Sequence, residues 1–137
     1  MTGGPSGLPV LYWDENYTRH IYLKNLPVDR KILFVCSRNR IRSLTAERVF
    51  GDTLGWDARS VGTQPNARII VTAGHIGWAD LIVCMEKKHL NILRRKFSAE
   101  LVDKKLLCLH IPDEYKFMEE ALIDELETRL DGILEID

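Results

Sequence analysis

Lys31-Ile-Leu-Phe-Val-Cys36-Ser-Arg-Asn-Arg-Ile-Arg42-Ser43 is the stretch that decides the reading of this chain. Its first six residues form a continuous apolar run, the signature of a strand buried on both faces of a parallel sheet. Residues 43–54 follow with Leu44, Ala46, Val49, Phe50 and Leu54 at helical spacing, and Gly55 stands where such a helix ends. The same alternation continues downstream. Residues 58–61, 80–85 and 105–109 read as further strands. Between and after them, residues 68–78 read as an irregular helix interrupted by Gly74 and Gly77, and 86–97 as a helix with Leu90, Leu93 and Phe97 inward. Residues 117–134 form a long amphipathic helix with Phe117, Ala121, Leu122, Leu126, Leu130 and Ile133 on one face. Strands alternating with helices predict an α/β fold: a four-stranded parallel sheet with helices on both faces. Ligands bind such sheets beyond the carboxyl ends of the strands, which is where the loop after the first strand lies.

That loop has its own chemical logic. A Cys and an Arg on either side of a five-residue loop, at a strand-to-helix junction, suit a tetrahedral anion. Backbone N–H groups of Ser37, Arg38, Asn39, Arg40 and Ile41 can converge on one point, and the positive end of the helix dipole faces it. Arg42 can hold two oxygens of the anion in bidentate fashion. Cys36 lies beneath the anion, where the same positive field favours a nucleophilic thiolate. Ser43 can donate its hydroxyl to the sulfur, and Asn39 tolerates a left-handed backbone and can brace the loop.

Composition narrows the class without naming it. The 137 residues are 45% apolar and 28% charged, enough for one core without disulfides or a structural metal. Lys plus Arg is 19 against 20 for Asp plus Glu, so bulk charge implies no general pull towards nucleic acid or anionic lipid. Three cysteines with no CxxC spacing argue against a secreted disulfide scaffold and a zinc site, and fit a reducing cytoplasm. No apolar run has the length of a membrane span. Residues 1–30 differ in texture: a Gly/Pro-rich start, then an aromatic stretch that reads as an ordered arm or surface hairpin, with the domain proper at 31–137.

The segment Val35-Cys-Ser-Arg-Asn-Arg-Ile-Arg-Ser-Leu-Thr-Ala-Glu47 resembles the phosphate loop of the low-molecular-weight protein tyrosine phosphatases, Cys-x-Gly-Asn-x-x-Arg-Ser followed by a helix. Three further matches follow in order. Arg59-Ser-Val-Gly-Thr63 resembles the family's Ser-Ala-Gly-Thr, and Ala79-Asp-Leu-Ile-Val-Cys-Met-Glu86 its Asp-x-Ile-x-x-Met-Asp. Ile111-Pro-Asp-Glu-Tyr115 stands where the family has Asp-Pro-Tyr. The resemblance spans about residues 31 to 134. It implies a phosphomonoester hydrolase working through a phosphocysteine, without metal or cofactor, on phosphotyrosine or another phosphomonoester, with neither a membrane nor nucleic acid as the expected partner. Cys36 is then the nucleophile, Arg42 the phosphate clamp and Asp113 the general acid and later base. Asn39, Ser43 and Ser60 would hold the loop and thiolate, and Tyr115 would wall the pocket.

Four departures bear on specificity. Arg38 replaces the loop glycine, Ile41 the second loop cysteine of many relatives, and Glu114 the proline of Asp-Pro-Tyr, while residues 64–79 are a shortened segment. A shallower pocket is expected. Two alternatives stand beside hydrolysis: a phosphate- or phosphoprotein-binding module without turnover, and a thiol-dependent arsenate reductase. The second needs a relay of cysteines, whereas Cys84 and Cys108 read as core strand thiols 24 positions apart. His20, His75, His89 and His110 have no metal-ligand spacing and read as bystanders.

Overall fold

The computed structural model describes residues 9–13, 19–23, 30–52 and 56–136. In chain order, β1 (Pro9–Trp13) and β2 (Arg19–Leu23) pair antiparallel in a two-stranded sheet of their own, from Pro9 opposite Leu23 to Trp13 opposite Arg19. The rest of the N-terminal arm lies outside the described residues. Then come β3 (Arg30–Cys36), α1 (Arg42–Phe50), β4 (Trp56–Gly62), α2 (Ala73–Trp78) and β5 (Leu81–Cys84). They are followed by α3 (Lys87–Lys96), β6 (Lys105–Cys108) and α4 (Glu120–Ile136).

The last four strands form one parallel sheet in the order β4-β3-β5-β6. The expected α/β architecture is therefore present. Because β3 has β4 on one side and β5 on the other, the chain reverses its winding at β3, and the carboxyl end of β3 is the topological switch point. Cys36 is the last residue of that strand.

Alternation along the strands sorts the core into two layers. Ile32, Phe34 and Cys36 of β3, with Leu81 and Val83 of β5, pack with Ala46 and Phe50 of α1 and Leu122, Leu126 and Leu130 of α4. Leu33 and Val35, with Ile82 and Cys84, pack with Ile76 of α2 and Leu90 and Leu93 of α3. Each of the Val, Leu, Ile and Phe side chains contributes about 2 kcal/mol by leaving water. Phe50 stacks on Phe34 with ring centroids 5.6 Å apart and meets Trp56 at 5.7 Å.

Three helix boundaries differ from the spacing-based expectation. Helix α1 stops at Phe50, and Gly51, a poor helix former, follows with its N–H on Glu47 O. Leu54 and Gly55, read as its end, lie outside the described residues. Residues 68–72 are not helical, because Gly62 draws this segment alongside β4: its N–H donates to Ile69 O and its carbonyl accepts from Val71. Helix α4 starts at Glu120 rather than 117, since Met118 takes a positive φ of 59° and donates its N–H to Thr45 Oγ1 at 3.0 Å. Phe117 and Ala121 are consequently exposed, while Leu122, Leu126 and Leu130 face inward as expected. Among the described residues no helix is long and apolar enough to cross a membrane.

Candidate active site

The loop after β3 is held from outside by residues 63–68. Thr63 N–H donates to Cys36 O, Gln64 N–H to Ser37 O and Arg68 N–H to Arg38 O, at 3.0, 2.9 and 2.9 Å. Arg68 Nε adds a bond to Asn39 O at 3.1 Å. Four successive carbonyls are thus turned outward. In a planar trans peptide the following N–H points the opposite way, so the N–H groups of Ser37, Arg38, Asn39 and Arg40 are turned inward. One of them is seen doing so: Asn39 N–H reaches Cys36 Sγ at 3.3 Å. The inversion occurs at Asn39, whose φ of 57° is left-handed, as the sequence predicts.

Gly62 permits this close approach. A Cβ there would lie 2.6 Å from Ser37 O and 2.7 Å from the Ala67 side chain. The Gly of Arg59-Ser-Val-Gly-Thr63 is therefore part of the loop's seating, beyond its effect on the strand end.

Beneath the loop, Cys36 is almost wholly buried and its Sγ is 3.0 Å from Ser43 Oγ. Asn39 Nδ2 donates to the same hydroxyl at 2.8 Å, and the Ser43 proton has two acceptors in reach, the sulfur at 3.0 Å and Val61 O at 3.3 Å. Ser60 takes no part in this network. Its hydroxyl bonds Glu47 Oε1, so the expectation that it steadies the loop is corrected: Ser60 ties α1 to β4 instead.

Arg42, the first residue of α1, is 2% exposed. Its Nη1 donates to Ile111 O at 2.8 Å and pairs with Glu86 at 3.2 Å, and its Nε lies 3.8 Å from Asp113 Oδ1. Asp113, half exposed, enters from the chain after β6 and brings its carboxylate to the same cavity. Cys36, Ser37, Arg38, Arg40, Ile41, Arg42 and Asp113 line that cavity of about 90 Å³. Tyr115 does not line it; the ring packs against the core layer beneath α1 and α4, correcting its assignment as pocket wall.

Two contributors escaped the sequence reading. His89 is fully buried, with Nδ1 accepting from Glu86 N–H at 3.0 Å and Nε2 2.9 Å from Ser37 Oγ. Since Nδ1 is an acceptor, Nε2 carries the proton and donates to Ser37, whose own hydroxyl proton is free for the cavity. Burial first, and then the charge of Arg42, lower the His89 pKa to about 4, so the ring is neutral. Burial pushes the Glu86 carboxyl up, but its bond to Arg42 and the charges of Arg42 and Lys88 outweigh this, and its pKa is lowered. The signal was Glu86-Lys-Lys-His89 at the head of a helix on the same sheet edge. The other histidine near a helix start, His75, bonds Thr72 and closes the N-terminus of α2.

Cys84 and Cys108, distant in sequence, are register partners on β5 and β6. Cys84 belongs to the layer opposite Cys36, and Cys108 is only half-buried, so it is less a core thiol than its strand suggests.

A scan of protein-family models gives no match, and neither does a search of curated proteins. Solved structures do match. The YwlE arginine phosphatase from Geobacillus stearothermophilus superposes with a TM-score of 0.60 at 22% identity, covering 77% of this chain and 91% of that one. This chain has the fold of that phosphatase. A YwlE mutant from Bacillus subtilis gives 0.56 at 21% identity, over 78% and 97% of the two chains. A cysteine-to-serine YwlE mutant with a phosphorylated active-site serine also gives 0.56, at 19% identity over 77% and 93%. These are proteins of the low-molecular-weight phosphatase fold, as the loop motif implies.

Proposed function

We propose that the chain is a phosphomonoester hydrolase acting through a phosphocysteine. The observation that carries this is the cradle: four outward carbonyls aim the intervening N–H groups over Cys36 Sγ, with Arg42 beside them. The thiolate of Cys36 attacks phosphorus in line, a P–S bond forms and the P–O bond to the leaving group breaks. Asp113 gives its proton to the departing oxygen. Water then attacks the phosphocysteine, Asp113 accepts its proton, and phosphate leaves with the thiolate restored. Inward N–H groups and Arg42 stabilise charge on the equatorial oxygens. Ser43 donates to the thiolate whenever sulfur is the leaving group, and His89 keeps Ser37 facing the cavity as a donor.

This activity is assigned to residues 31–137, with 1–30 as an arm, and the three free cysteines fit a cytoplasmic setting. Arsenate reduction lacks support: Cys84 sits in the core layer across the sheet from Cys36, and Cys108 lies on β6, two strands away from β3. Hydrolysis of phosphoarginine, the activity named for the similar structures, would bring a guanidinium against Arg38 and Arg40 at the cavity mouth. Phosphate esters suit that mouth better.

The test is acid quenching of the reaction with p-nitrophenyl phosphate, followed by mass spectrometry for phosphocysteine on the Cys36 peptide. A burst of p-nitrophenol stoichiometric with protein is expected. Steady turnover without a phosphorylated peptide would overturn the covalent route.

A further inference from the structure

The three arginines of the loop are in different electrostatic situations. Arg42 is buried and answered by Glu86 and Asp113. Arg38 and Arg40 are exposed, line the cavity mouth, and pair with no carboxylate among the described residues. Their backbone is fixed by the bonds from Gln64 and Arg68 to the loop carbonyls, so both guanidinium groups stand on a rigid base. Arg40 is further steadied by a long bond from Nη2 to Asn66 O. No aromatic side chain among the described residues lines the cavity, and about 90 Å³ admits a phosphate without enclosing an aryl ring. Recognition beyond the scissile phosphate therefore falls to charge. A guanidinium fork matches two oxygens of a phosphate in a bidentate geometry.

Resting on the phosphatase reading, we infer that Arg38 and Arg40 form a second anion subsite, which takes a further phosphate carried by the substrate next to the scissile one. The preferred substrate class is a phosphomonoester with a neighbouring phosphate: a small bisphosphate, or the terminal phosphate of a polynucleotide beside its first phosphodiester.

Binding separates this from catalysis. On the Cys36→Ser protein, calorimetry compares an alkyl monophosphate with the bisphosphate of the same chain, at low and high salt. The bisphosphate is expected to bind about tenfold tighter at low salt, with the advantage shrinking as salt rises. In Arg38→Gln/Arg40→Gln on that background, the ratio should fall towards one, whatever happens to absolute affinity. Equal binding of the two ligands by the parent, or a ratio retained in the double variant, overturns the subsite. Should the double variant fold poorly, the salt dependence of the parent's ratio decides alone. A 5′-phosphorylated dinucleotide outbinding the small bisphosphate would place the source at a polynucleotide end; the reverse order would place it among small metabolites. A phosphotyrosine peptide with acidic flanks that outbinds both would overturn the assignment in favour of a protein. Failure of the phosphatase reading would show separately, as absence of any turnover by the unmodified protein despite intact binding.

Discussion

Two neighbouring strands of this sheet end in nearly the same way and do different things. Both β3 and β5 contain a run of four or more buried apolar residues ending in Val-Cys, Val35-Cys36 and Val83-Cys84, and both lead to a helix. After Cys36, five residues separate the strand from α1, and they curl so that their carbonyls are taken by residues 63–68. After Cys84, two residues lead straight to α3; Glu86 turns its N–H to His89 and its carboxylate to Arg42. The result is one sulfur under converging donors and one in a dry layer, where burial, with the nearby Cys108, pushes the Cys84 thiol up. The donors that surround a cysteine at a strand end are set by the loop that follows it, and the apolar run before it says nothing.

The largest test of this contrast is a pair of serine substitutions. Cys36→Ser should cost on the order of 10⁴-fold in turnover of p-nitrophenyl phosphate while vanadate still binds. Cys84→Ser should keep turnover within about threefold and lower stability by about 1–3 kcal/mol, for want of a partner for the new hydroxyl. Comparable activity losses in the two would erase the distinction. Next, Asp113→Asn should slow reaction by about 10²–10³-fold, most with poor leaving groups, as a linear free-energy series across aryl phosphates would show. A uniform loss across the series would place the acid elsewhere.

A smaller effect probes the seating of the loop. Gly62→Ala forces a Cβ onto Ser37 O, and a shift of that carbonyl should reduce kcat/KM by about 10²-fold with the fold retained by circular dichroism. The mildest concerns His89. Its folded pKa of about 4 lies below the ordinary 6.5, so the unfolded chain binds a proton first as pH drops. Stability present above about pH 6.5 is therefore lost as pH falls towards 4, by up to about 3 kcal/mol from this group. The lowered Glu86 carboxyl adds loss in the same direction, at and below the usual carboxylate range. Thermal melts should show His89→Gln with a flatter acid limb, together with phosphate affinity reduced by about threefold as Ser37 loses its orienting donor. An unchanged acid limb would remove His89 from the account.

The placement of the loop, with Cys36 at the strand end, Asn39 in the left-handed turn and Arg42 at the helix start, was legible because it is local: strand, turn residue and helix follow one another directly in the sequence. The sheet was legible for the same reason, its strands being buried on both faces. His89 was not, since its partner Ser37 is 52 positions away and only the β3–β5 pairing unites them. Ser60 and Tyr115 were assigned by analogy and went elsewhere, Ser60 to a carboxylate one layer away and Tyr115 to the core. Helix α1 stops short at Gly51, whereas the helix start misread at 117 was set by a tertiary contact, the Thr45–Met118 bond, which periodicity does not encode.

Helix α1 begins at Arg42, its N-cap residue Ile41 makes no side-chain capping bond, and no acid stands in its first turn. A helix built this way is finished by whatever anion occupies the cradle, so ligand and fold are thermodynamically linked. Inorganic phosphate, the product of the proposed reaction, would then stabilise the folded chain. At a hundred times its Kd it would raise the unfolding free energy by about 2.7 kcal/mol. The melting temperature of this chain should track the phosphate concentration of its surroundings.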